Sequence, residues 1–162
     1  MTTVISLNAQ HFDTLDLSPI ETVLQPWIAD QTLSNYEQAL QFEIDYPQDP
    51  EASQELPDIP EIRLWFVRLD SIYPWLPYLL DWRSGELARY AAMLVPHEFS
   101  QREGIQFNPQ ALDLFVMRKL FTIHHWLKQQ GVERPNTLKQ MADLFGYELD
   151  NTLFELLDRA TP

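Results

Sequence analysis

PEIRLWFVRLDSIYPWLPYLLDWRSGELARYAAMLVPH, residues 60–97, decides how the chain is read. It holds three of the five tryptophans (Trp65, Trp75, Trp82), interleaved with Tyr73, Tyr78 and Tyr90. Arg63, Arg68, Asp70, Asp81 and Arg83 lie beside these rings as groups able to pair. Composition this rich in large rings looks strand-like, but the spacing is helical. Ile62, Trp65, Phe66, Leu69, Ile72 and Tyr73 recur at three- and four-residue intervals and predict one apolar helix face. Asp58 is the predicted cap, Pro60 sets the first turn, and Glu61 follows three residues after the cap. Pro74 ends this helix. A short proline-flanked turn of helix follows in WLPYLLDW (75–82). Ser84 is the predicted cap of a second helix to about Val95, with Leu87, Tyr90, Ala91 and Leu94 inward.

Further along, HEFSQREGIQF (97–107) reads as a loop or short extended segment. Asn108-Pro109 opens the longest helix, to about Gln130, with Leu112, Phe115, Val116, Leu120, Ile123 and Leu127 inward and Gly131 beyond its end. Thr137 and Asp150 are predicted caps of two more helices, the first ending at Gly146. Towards the N-terminus, TVISL (3–7) reads as a strand. Ser18-Pro19-Ile20-Glu21 starts a helix that runs to about Leu24, with Pro26 ending or kinking it. ALQFEIDYP (39–47) alternates, with Leu40, Phe42, Ile44 and Tyr46 on one side and Gln41, Glu43 and Asp45 on the other. That pattern predicts a half-buried antiparallel strand. Residues 47–57 read as an exposed acidic loop.

The predicted fold is therefore α+β, a mainly helical single domain with a small N-terminal antiparallel sheet. One domain spans 1–162, its acidic, strand-containing part at about 1–57 and its helical part at about 58–160. A chain of 162 residues with 45% apolar content is long enough to bury a core. It has no run of about 18 apolar residues, so no membrane insertion is expected.

Charge divides the chain unevenly. The first 62 residues hold 12 of the 24 acids and none of the 11 bases. Phosphate backbones repel such a surface, and no basic cluster offsets it, so nucleic acid is not an expected partner. The acidic half reads either as a solvated face or as a landing site for a basic partner. It is also unlike a secretory signal or a transit peptide, so a cytoplasmic location is expected, or a chain already processed.

Catalytic signatures are missing from the sequence. There is no cysteine, so thiolate nucleophiles and thiolate-held clusters within the chain are excluded. Four separated glycines build neither a P-loop nor a dinucleotide fingerprint, and no GxSxG or HExxH occurs. Neither an enzyme nor a cofactor is expected. A small metal-dependent enzyme using His97 or His124 with carboxylates is the weaker alternative. Arg68, Arg83 and Arg89 read first as members of a partly buried ion-pair network. The rings of 65–82 read first as core, and second as rigid interface anchors beside Pro74 and Pro77.

The strings LPDIPEIRLWFVRLDSIYPWLPYLLDW, GELARYAAMLVPH, GIQFNPQALDLFVMRKL and MADLFGYELDNTLFELLD resemble the Chlororespiratory Reduction 6 family of cyanobacteria and plastids. The likeness covers roughly residues 40–158. It implies an assembly factor for the hydrophilic arm of the photosynthetic NADH dehydrogenase-like (NDH) complex, with the iron–sulfur subunit NdhI as client. A constitutive adaptor subunit of a larger assembly is the alternative. With that client, the expected contacts are Trp65, Trp75, Tyr78, Trp82 and Arg83, with Asp49, Glu51, Glu55, Asp58 and Glu61 steering. The setting implied is the cyanobacterial cytosol, or the stroma for plastid relatives.

Overall fold

The computed structural model describes residues 1–49 and 59–160. Strand β1 (Thr3–Asn8) leads directly into α1 (Ala9–Asp13) and then α2 (Ser18–Ala29). A 3-10 turn at Leu33–Tyr36 precedes β2 (Leu40–Asp45). The helical part comprises α3 (Pro60–Ile72), α4 (Glu86–Leu94), α5 (Pro109–Gln129), α6 (Pro135–Asp143) and α7 (Asn151–Ala160), interrupted by β3 (His97–Ser100) and β4 (Gly104–Phe107). The α+β, mainly helical class holds.

The N-terminal sheet, however, is parallel rather than antiparallel. Thr3 pairs with Leu40 and Asn8 with Asp45. Alternation correctly puts Leu40 and Phe42 inward, but it says nothing of strand direction. Direction follows from the connection, which is a helical crossover and returns the chain to the same end of the sheet. Within that crossover α2 is longer than expected, continuing past Leu24 and through Pro26 to Ala29. It stops only where Gln31 takes a left-handed backbone, φ 55°. Asp16, not Ser18, organises its start by accepting bonds from the Ser18 N–H and hydroxyl.

Other boundaries also shift. Ile59 occupies the cap position of α3, while Asp58 lies outside the described residues. Ile72 is 46% exposed rather than inward. Asp81 accepts from the Arg83 and Ser84 N–H groups to cap a 3-10 turn, and Gly85 at φ 83° then starts α4 in place of Ser84. Arg134 rather than Thr137 precedes α6, whereas Asn108 and Asp150 receive the N–H bonds expected of them. Residues 97–107 form an antiparallel hairpin. Residues 47–49 are exposed, and the rest of the expected acidic loop lies outside the described residues up to Asp58.

The core is an aromatic lattice joining the sheet to α3 and α4. Trp65 is fully buried, edge-on to Phe12, Phe42 and Phe66 at centroid distances of 5.4, 6.3 and 5.0 Å. Phe66 in turn meets Tyr90 at 5.8 Å. Such edge-to-face contacts add to the area buried by each ring.

The free edge of β2 is closed by a backbone bridge at Leu40 and by side chains at Phe42. Leu40 bridges to Leu80, and its carbonyl accepts from the Asp81 N–H at 2.5 Å. Two residues on, the Phe42 N–H donates to Glu86 at 2.9 Å, and Arg89 donates to the Phe42 carbonyl at 3.0 Å. Glu86 and Arg89 pair at 3.1 Å, so together they stand where a third strand would place its backbone.

Candidate functional site

The aromatic block divides into core and surface. Trp65 gives its ring N–H to the Asp16 carbonyl at 2.7 Å, and Trp82 gives its own to Pro77 at 2.7 Å. Tyr78 donates its hydroxyl to Glu37 at 2.8 Å, and burial with that carboxylate pushes its pKa up. All three rings are buried with their polar ends satisfied, so they hold the fold rather than present a face. Trp75 differs. It is half-buried, stacks on Trp126 at 5.1 Å, and lines an open cleft of about 490 Å³ with Ile28, Leu33 and Gln130. Arg83, Asp49 and Glu61 are exposed, while Glu51, Glu55 and Asp58 lie outside the described residues.

The expected arginine network is sparse. Arg89 pairs with Glu86, but Arg68 donates to the Leu15 carbonyl at 3.0 Å. The buried ion pair belongs instead to Asp70 and Lys119, joining α3 to α5. The Tyr90 hydroxyl donates to the same Asp70 oxygen, and Lys119 also reaches the Pro74 carbonyl at 3.4 Å. Burial pushes the Lys119 ammonium down and the Tyr90 phenol up, with Asp70 opposing the first shift and reinforcing the second.

This pair floors a groove of about 300 Å³ between α3 and α5. Val67 and Ser71 line it from α3, and Leu114 and Arg118 from α5. Val67 and Leu114 are 50% and 73% exposed, so its rim is apolar and wet. Sequence reasoning named none of these four. The available signal was that Leu114 and Phe121 fall outside the inward stripe of α5 yet are apolar.

The histidine candidates have other partners. His124 meets Asp158 at 2.7 Å, and the same carboxylate oxygen takes Lys128 at 2.5 Å. The His97 Nδ1 sits 3.4 Å from the Arg63 guanidinium. Among the described residues no three His, Asp or Glu side chains are grouped to hold a metal. Hydrogen bonds from Lys128 and then His124 hold the Asp158 carboxyl below its ordinary 3.8. Its contribution to stability is therefore complete above 3.8 and is lost as pH falls through the lower folded-state value. Asp158→Asn should flatten the fall in urea midpoint between about pH 5 and about pH 2; an unchanged profile would exclude this contribution.

No described helix is long and apolar enough to cross a membrane. No solved structure matches the chain. The family model described as Chlororespiratory reduction 6 matches residues 7–156, taking in the N-terminal crossover as well as the aromatic block. The chain belongs to the Chlororespiratory reduction 6 family, and that membership points to a role in assembling the photosynthetic NDH complex.

Proposed function

We propose that this protein is a non-catalytic assembly factor that binds the iron–sulfur subunit NdhI while the hydrophilic arm of the NDH complex is being built. Family membership over residues 7–156 is the observation that carries this reading. The absence of cysteine from the sequence adds to it, because the chain has no thiolate with which to take a cluster from its client. Its part is then to cover client surface that the mature complex later buries. Trp75 and Arg83 are the members of the ring-and-arginine set with surface left for such contact. Asp49 and Glu61, with the other acids of 49–61, supply long-range steering of a basic client face. The working compartment is the cyanobacterial cytosol or its plastid counterpart, the stroma.

A tagged pull-down from a photosynthetic host, with mass spectrometry of the eluate, tests this. NdhI should be recovered without the full set of mature-complex subunits. Recovery of the intact complex at equal amount would replace the reading with that of a constitutive adaptor. Recovery of no NDH-complex protein would overturn it.

A further inference from the structure

We infer that the groove between α3 and α5 is the docking site for an apolar polypeptide segment of the client, one that brings a carboxylate to Arg118. The inference rests on the assembly-factor reading and adds the surface and the chemistry of the bound segment. Leu64, Val67 and Ser71 recur along the outer side of α3, and Leu114, Arg118 and Phe121 along that of α5. Leu64 and Phe121 are 57% and 43% exposed. Val67, Ser71, Leu114 and Arg118 line the cavity itself, whereas Leu64 and Phe121 lie a helical turn beyond it. The apolar surface is thus longer than the cavity, which suits a segment of chain better than a compact small molecule. Exposed aliphatic and aromatic side chains gathered around a concavity are the usual mark of a partner site.

Charge selects the occupant. Asp70 and Lys119 neutralise one another in the floor. Arg118 remains on the wall as an exposed cation, in a chain whose net charge is −13. A second copy would bring the same large negative charge and be repelled at long range. A mainly apolar segment with one well-placed Asp or Glu satisfies both the rim and the guanidinium.

The test places a photo-crosslinking amino acid at Leu114 of the full-length protein in a photosynthetic host. A second placement at Leu156 on α7, which is 58% exposed, serves for comparison. The Leu114 adduct should map to an NdhI peptide of apolar residues with an acid among them. Arg118→Glu should cut its yield about tenfold with the circular dichroism unchanged. A peptide of that chemistry from a different NDH subunit would uphold the groove and overturn NdhI as client. Adducts equal at Leu114 and Leu156, adducts with a second copy, or none at Leu114 would overturn the groove, leaving the pull-down to decide the client separately.

Discussion

Asp70→Ala is expected to lower folding stability by about 3–5 kcal/mol, the cost of stranding a buried charge. The Lys119 side chain is only 3% exposed, and the Pro74 carbonyl at 3.4 Å is a poor substitute for a carboxylate. The Tyr90 hydroxyl loses its acceptor in the same substitution. Urea denaturation checks this through the midpoint at unchanged slope. Two further outcomes separate a stranded charge from simple loss of packing. Burial already depresses the Lys119 ammonium below 10.5, and without Asp70 it falls further. Between that lowered value and the unfolded one, the unfolded chain binds more protons, so the variant should regain stability as pH rises through this window. Asp70→Leu combined with Lys119→Met should also recover the part of the loss due to the stranded ion, because an apolar pair leaves no ion buried, while the Tyr90 hydroxyl still lacks its acceptor. A single-variant loss below about 1 kcal/mol would show that water reaches the ammonium and that the pair is not structural.

That ion pair also shows why the site was harder to read than the fold. Helical periodicity is local, so the inward faces of α3, α4 and α5, apart from Ile72 at the end of α3, follow from residue spacing alone. Asn108 and Asp150 cap through their own side chains, and they were legible for the same reason. Sheet direction depends on where the crossover returns the chain, and no alternation within 39–47 encodes that. The end of α2 was hidden because Gln31 adopts a left-handed backbone without being glycine. The strands of the 97–107 hairpin have four residues each, too few to display a period. Rings posed a different difficulty. Trp65, Tyr78 and Trp82 have the composition of interface anchors, but carbonyls and a carboxylate from distant or turn residues satisfy their polar ends inside the core. Lys119 did leave a trace, lying within the stripe of Val116, Leu120 and Ile123. Its partner Asp70 stands among the groups able to pair beside the rings, but nothing in the spacing links it to a lysine 49 residues away.

Glu86→Ala should cost about 2–4 kcal/mol, because one substitution undoes both bonds that close the edge of β2 at Phe42. The Glu86 side chain is 2% exposed, and its two oxygens accept from the Phe42 N–H and from Arg89. Alanine leaves that N–H buried with no acceptor and frees Arg89 from the carboxylate that orients it towards the Phe42 carbonyl. The strand would then be unpaired on that side at Phe42, beside the most aromatic part of the core. Glu86→Gln separates the charge from the hydrogen bond. An amide oxygen still accepts from Phe42, so this variant should lose less than alanine does. Burial raises the Glu86 carboxyl above 4.5, ahead of the opposing Phe42 and Arg89 contributions. Between 4.5 and that raised value the native state therefore holds a proton that the unfolded chain has released, and this contribution is full below 4.5 and lost as pH rises through the folded value. Glutamine should abolish that slope, which is opposite in sign to the one at Asp158. Hydrogen exchange at Phe42 supplies the local readout: its amide should lose protection in Glu86→Ala and keep most of it in Glu86→Gln. Equal protection in both variants would show that β1 pairing alone secures the strand, with the Glu86–Arg89 pair a passive neighbour.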